Sequence, residues 1–340
     1  MSLLEWVMND IKIFVSHRID IESELIDNPL YYPVRCGAVF DSDPPLNDIP
    51  GDDSGDNISD RRMSFCEFTV QYWAWKNMDC DYYGLCHYRR YLSFSPRTYK
   101  SDCYSIVHRA MLDPAEKKRF GLLDSRKMER MIRQYDMLVN IPGFCEKIPT
   151  PLGPKKTVRE MWEAHDNVFF EKSVIDKMFG LIEELSPEYL DSANEYFSGH
   201  LHRGFNCYVM KKELFSRLCE FQFPIMFELE KQIDTTGYTQ TMGRTIGFVG
   251  EMLYGIFVYH ILKTENVKCR ELQLVFFKNT DKIKNRADLM GRYIWNFCDS
   301  CLRAVADPIL PKGSRRRESV KKVLFKVLKV KNRGPAQIKK

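Results

Sequence analysis

YYGLCHYRRYL, Tyr82 to Leu92, decides how this chain is read. Its first half is aromatic and aliphatic, as in a strand covered on both faces, and its basic residues fall at the carboxyl end. That is the end at which open α/β sheets bind ligands, in the crevice where the strand order reverses. Read as one extended segment, His87 and Arg89 project to one face and Tyr88 and Arg90 to the other. Two guanidiniums beside an imidazole suit a diphosphate. The plainer alternative is an arginine paired with an acid such as Asp81 on an ordinary surface.

Working outward, short strands alternate with helices. Ile11–Val15 (IKIFV) is a buried strand opening into Ser16-His17, and Tyr31–Phe40 is a second strand. Residues 41–60 are rich in Asp, Pro and Gly and exclude regular structure. Ser64 to Glu67 has the spacing of a capping box ahead of an aromatic helix running to Asn77. Further strands are expected at 137–141 and 205–210, and helices at 125–134, 158–163, 173–185, 212–231 and 248–262. This pattern predicts an α/β domain with a mostly parallel central sheet.

Composition narrows the function. Of 340 residues, 44% are hydrophobic and 29% charged, which excludes wholesale disorder. The absence of a run of 18 apolar residues argues against a bilayer-spanning helix, and the acidic N-terminus lacks the pattern of a secretory signal. Eleven scattered cysteines suit reduced thiols, and the single CxxC, Cys298 to Cys301, has no second pair for zinc. These features lead to the expectation of a cytoplasmic protein. The net charge of +5 divides into +11 for residues 312–340 and −6 for the rest. Within that tail Val320, Val323, Leu324, Val327 and Leu328 form an apolar stripe among lysines. A basic amphipathic helix is expected there, lying on an anionic membrane surface or docking on the body. The domain is therefore drawn as 1–305 and the tail as 306–340. No recognisable nucleic-acid module accompanies these charges, so no nucleic-acid partner is expected.

Other candidate groups flank this segment. GDDSGDNIS (51–59) sets Asp52, Asp53, Asp56 and Asn57 in a glycine-hinged loop suited to sugar hydroxyls or a divalent cation, or to solvent alone; it is not an EF-hand. Asp79-Cys-Asp81 is formally a metal-binding Asp-Xaa-Asp but precedes its strand, on the rim away from the crevice. His200, His202 and Asn206 are candidates for acceptor-sugar contact, or structural residues. Glu251, a lone acid in an apolar helix, is either a helix-terminus charge partner or a base raised in pKa by burial.

At GDDSGDNIS, YWAWKN (72–77) and GLCHYRRYL (84–92) the chain resembles the bacterial domain-of-unknown-function 4422 family of capsular-polysaccharide, exopolysaccharide and O-antigen glycosyltransferases. Ser16-His17, FNCYVMKKELF (205–215), FPIMFELEK (223–231) and GFVGEML (247–253) extend the resemblance over residues 10–265. It implies a GT-A-like, Rossmann-type domain with C-terminal helices. Such a domain moves a sugar from a nucleotide donor, with UDP-galactofuranose or UDP-galactose expected, to a lipid-linked oligosaccharide. Donor contacts are then expected from His17, Asp52, Asp53, Asn57, His87, Arg89 and Arg90. Mg²⁺ or Mn²⁺, if used, falls to Asp52 and Asp53, and the base to Glu251 first and Asp56 second. Trp73, Trp75 and Tyr91 are available to stack on uracil or a sugar, although two tryptophans two apart on a helix cannot both face the cleft, so one of them is expected in the core. The rival expectation is a non-catalytic nucleotide-sugar-binding component of an assembly complex.

Overall fold

The computed structural model describes residues 11–309, with side chains through Cys298. The basic tail, and its expected amphipathic helix, lie outside the described residues. Contacts divide the chain at Asp281/Lys282, earlier than the boundary drawn from sequence. The C-terminal unit contains the helix Arg286–Ile309.

The larger unit is a mixed α/β structure on one nine-stranded curled sheet. Its strands are β1 (Ile11–Arg18), β2 (Tyr31–Cys36), β3 (Tyr82–His87), β4 (Arg90–Leu92), β5 (Ile106–Met111) and β6 (Met137–Asn140), followed by three others. A separate two-stranded ribbon joins β7 (Gly143–Phe144) to β8 (Leu201–His202), and the sheet continues with β9 (Tyr208–Lys211), β10 (Cys269–Leu272) and β11 (Leu274–Asn279). The longest ladders are parallel: β1 with β2, β1 with β3, and β11 with β5. The shorter β4 and β9 run antiparallel to β3.

YYGLCHYRRYL is therefore a strand, a tight turn and a return strand. His87 stands opposite Arg90 across the turn Tyr88-Arg89, so the simple alternation of faces expected for 87–90 is broken. Residues 31–40 likewise end their strand at Cys36 and turn into a short 3₁₀ segment, Ala38–Phe40.

Three helices carry the packing that matters for the cleft: α1 (Phe68–Asn77), α2 (Lys212–Gln232) and α3 (Thr245–Thr264). The expected capping box does not form. A one-turn helix ends at Phe65, Cys66 adopts φ 54°, and α1 begins after Glu67 without a side-chain cap. Gln71 donates to Gln222 (2.7 Å), and Gln222 donates to the carbonyl of Gly250 (2.9 Å), tying α1, α2 and α3 together. At Gly250 a Cβ would lie 2.3 Å from the Phe68 ring, so glycine permits α3 to approach α1. The helix Met242–Thr264 has the length and hydropathy to cross a membrane, but 72% of its apolar window is buried in this unit, as in a core helix. All ten described cysteines are free thiols.

A guanidinium-lined cleft beyond strands β1 and β3

The parallel pair β1 and β3 ends at Ser16-His17-Arg18 and His87. Just past the β3 tip, Arg90 enters the lining of a cleft of about 350 Å³, together with Trp162, His202, Phe205, Arg244 and Glu251, whereas the candidates His17, His87 and Arg89 adjoin it without lining it. Position at strand ends is what the crevice rule demands.

Two cations, Arg90 and Arg244, line it, and Arg89 lies in the adjoining turn. Arg18 is consumed by Asp20 (2.7 Å). Arg89, Arg90 and Arg244 have no carboxylate within salt-bridge distance among the described residues. They are held instead by aromatic faces: Arg89 over Tyr88 (5.1 Å) and Phe276 (5.4 Å), Arg90 over Phe205 (5.2 Å), and Arg244 over Phe248 (5.6 Å). Arg244 also donates from Nε to Cys66 Sγ (3.1 Å). Arg89 Nε is buried without a partner. Burial, then the nearby Arg90 and Arg89, push the His87 imidazole far below its usual range, so it is neutral at pH 7. Burial alone lowers His17 to about 4.

Glu251 is the acid among them. It projects from α3, and its Oε2 accepts from the Phe205 amide (3.3 Å). Burial, and next the neighbouring Glu67, raise its pKa, while Arg90, the Phe205 amide and Arg244 act in the opposite direction. A Cβ on Gly204 would lie 2.8 Å from His202 Nε2 and 3.1 Å from Glu251 Oε2, so both groups converge on a space that only glycine leaves open. Cys66, Phe205 and Asn206 all have positive φ, at 54°, 74° and 43°. Such backbone is costly away from glycine and clusters where function requires a fixed geometry. His202 Nδ1, Trp162 Nε1 and Asn206 Oδ1 are buried without partners. His202 is lowered to about 4 by burial, Arg203 and His165.

The remaining sequence candidates fall elsewhere. Asp52 is fully buried. Its Oδ1 accepts from Ala38 N (2.9 Å) and Ser59 Oγ (2.5 Å), and its Oδ2 from Gly37 N (2.9 Å) and Thr69 Oγ1 (2.5 Å). Four donors fill the carboxylate's four acceptor directions, so Asp52 is a loop staple rather than a donor or metal ligand. Asp56 and Asn57 are drawn away along α1. Asp56 exchanges backbone hydrogen bonds with the Asn77 side chain and accepts from Tyr72 OH (3.1 Å), and Asn57 donates to Gly55 O. Asn77 ends α1 whereas Glu67 begins it, about 15 Å away at helical rise. Asp56 is thus too far from Glu251 to share its role, and the exposed Asp53 belongs to the same excursion. An Mg²⁺ or Mn²⁺ ion does not fit Asp52, and no group of three or more His, Cys, Asp or Glu among the described residues is arranged to hold a metal. Asp79 pairs with Lys212 (2.6 Å) on the opposite rim.

His200 stacks on Phe144 (6.2 Å) in the exposed ribbon and does not line the cleft. Asn206 donates to Glu67 (3.4 Å). Trp73 and Tyr91 are core residues, and Trp75 stacks on Phe223 at 5.8 Å, so none of the three reaches the ligand space. Its aromatic lining comes from Trp162, Phe205, Phe248 and Phe276 instead. Sequence reasoning missed Glu67 and Arg244. Arg244 did carry a signal: a cation immediately before a long helix opposes the helix dipole and needs a reason to be there.

Similarity to known proteins accords with this layout. A solved structure titled "WbbM bifunctional glycosytransferase apo structure" superposes with a TM-score of 0.72 at 27% identity, over 82% of this chain and 48% of that one. The chain thus spans about half the length of that protein. Among curated proteins none matches the sequence significantly. The profile of the family described as Domain of unknown function (DUF4422) matches residues 12–263, and the chain belongs to that family.

Proposed function

We propose that this protein is a nucleotide-sugar-dependent glycosyltransferase of polysaccharide assembly. In this reading it moves a sugar, galactofuranose or galactose, from a UDP donor to a lipid-linked glycan. The observation that carries it is the pair of guanidiniums lining the cleft without a carboxylate in salt-bridge distance, Arg90 and Arg244, with Arg89 in the adjoining turn and the half-buried carboxylate of Glu251 in the same lining. Arg89 and Arg90 are half-buried and Arg244 is exposed, and the nearby carboxylates of Glu251 and Glu67 offset only part of their charge, which favours an anionic ligand. A diphosphate supplies it, and the likeness to a glycosyltransferase structure supports that choice of ligand.

Chemically, the acceptor hydroxyl attacks the anomeric carbon as the bond to the diphosphate oxygen breaks. Charge accumulates on the departing phosphate, where preorganised guanidiniums lower the barrier selectively. The hydroxyl proton passes to Glu251, whose elevated pKa brings it closer to the ideal for a base at neutral pH. His87, kept neutral, donates or accepts a hydrogen bond without adding charge to the cluster. In this reading the work is done at the inner face of the membrane, a location supported by the +11 charge of residues 312–340, which suits anionic lipid.

Incubating the protein with a panel of UDP-sugars and a lipid-linked acceptor tests the reading. Sugar transfer supports it, donor binding without transfer indicates a non-catalytic binding component, and neither binding nor transfer overturns both.

A further inference from the structure

Three residues stand directly opposite one another on three neighbouring strands: Arg90 on β4, Phe276 on β11 and His108 on β5. Directly paired residues point to the same face of a sheet, and all three line the cleft. His87 extends the row on β3. With strands about 4.8 Å apart, Arg90 and His108 lie about 10 Å from one another across the row. That separation accommodates one sugar ring above Phe276.

His108 is not an incidental surface histidine. Its Nε2 bonds Asp102 Oδ2 at 2.6 Å. Asp102 is itself fixed, its Oδ1 accepting from the amides of Tyr104 (2.8 Å) and Ile106 (2.9 Å). A carboxylate on Nε2 sets the tautomer with the proton there and leaves Nδ1 as an acceptor. Tyr104 joins the same lip, packed edge-to-face on Phe205 at 5.9 Å. The ring of Phe276 is covered on one side by Arg89 at 5.4 Å and contacts the His108 ring at 5.5 Å.

We infer that the Asp102–His108 pair is the acceptor-sugar subsite, with His108 Nδ1 accepting a hydrogen bond from an acceptor hydroxyl and orienting it toward the anomeric carbon. The inference rests on the glycosyltransferase reading above and adds to it where the second sugar sits. Exposure separates this role from that of the base: the His108 side chain is 55% exposed, at the lip, whereas Glu251 is half-buried and bonded to the Phe205 amide. A base is best kept from water, while an acceptor carried on a long glycan must enter from the open side. An aromatic face flanked by an imidazole–carboxylate pair matches the mixed apolar and hydroxyl character of a sugar ring.

The test uses the full chain, a UDP-sugar donor that it hydrolyses, and octyl galactoside as acceptor probe. Wild type, His108→Ala and Asp102→Asn are compared for donor hydrolysis by water, for transfer across a range of acceptor concentrations, and for direct calorimetric binding of octyl galactoside in the presence of UDP. The expected result is unchanged donor hydrolysis in both variants. The acceptor KM and dissociation constant should rise about 10-fold in His108→Ala, equivalent to the loss of one good hydrogen bond, and less in Asp102→Asn. Acceptor affinity unchanged within twofold in both variants overturns the inference and leaves the enzyme reading intact. A 100-fold fall in kcat at constant acceptor KM also overturns it, by making His108 the base. Absence of donor hydrolysis, transfer and UDP binding in the wild type overturns the glycosyltransferase reading, and the subsite with it.

Discussion

The aspartate loop at 51–59 and the basic hairpin at 84–92 look equally functional as sequence, yet the fold treats them oppositely. Every acceptor direction of Asp52 is filled by the protein itself, and the loop beyond it is sewn along α1 to Asn77. The hairpin's guanidiniums are left without carboxylates in salt-bridge distance and rest on aromatic rings, Arg90 in the lining of a cleft and Arg89 against Phe276 of that lining. Charge density alone therefore does not tell the two regions apart. What distinguishes the two regions is whether the polar groups are already satisfied within the chain.

The largest expected effect falls on the hairpin's side of this contrast. Glu251→Gln should lower kcat about 10²–10⁴-fold, the range typical for a general base, with the melting temperature unchanged or raised. Arg90→Ala and Arg244→Ala should each lower kcat/KM for the donor about 10²–10³-fold, comparable to removing one preorganised charge-stabilising donor. Steady-state kinetics with varied donor check both, and activity within threefold of wild type would remove the residue concerned from the mechanism.

For the loop the effect should be on stability. Asp52→Ala orphans two amides and two hydroxyls and should cost roughly 2–4 kcal/mol, seen as a lower midpoint in urea, whereas donor affinity of the folded fraction stays the same. A donor affinity that falls while the midpoint holds would erase the contrast.

The buried histidines sharpen the comparison through pH. His17 and His202 are held near 4 in the folded state, against about 6.5 when unfolded. Between those values the unfolded chain binds more protons, so stability falls as pH drops from about 6.5 toward 4, and above 6.5 these groups contribute no further pH dependence. Each contributes on the order of 3 kcal/mol across that window. Thermal melts from pH 7 to pH 4 should show the decline, and His17→Asn should flatten part of it.

The smallest effect is expected from Asp53→Ala and Asp56→Ala: activity within twofold of wild type, since both side chains are exposed and remote from Glu251.

Much of the architecture was legible because local signals agreed with the fold. The helices 158–163 and 173–185 appear with the expected limits, and apolar runs such as 137–140 became buried strands. The rule that ligands lie at strand ends pointed to the stretch His87–Arg90, of which Arg90 lines the cleft. What stayed hidden depended on residues far apart in sequence. Glu67 looked like a cap but turns toward Asn206, because positive φ at Cys66 breaks the helix that it would have capped. Asp102 and His108 gain meaning only from the register of β5 against β11. One of Trp73 and Trp75 was expected in the core and the other at the ligand, but their helix turns Trp73 to the core and Trp75 onto α2. Satisfaction of charge is a tertiary property, and no spacing in the sequence records it.

The most direct measurement is calorimetric titration of UDP into the wild-type protein, Arg90→Ala, Arg244→Ala and Asp53→Ala. The account predicts saturable, salt-sensitive binding to the wild type and to Asp53→Ala, weakened at least 10-fold in each arginine variant. Equal affinity across all four proteins, or no binding to the wild type, would contradict it.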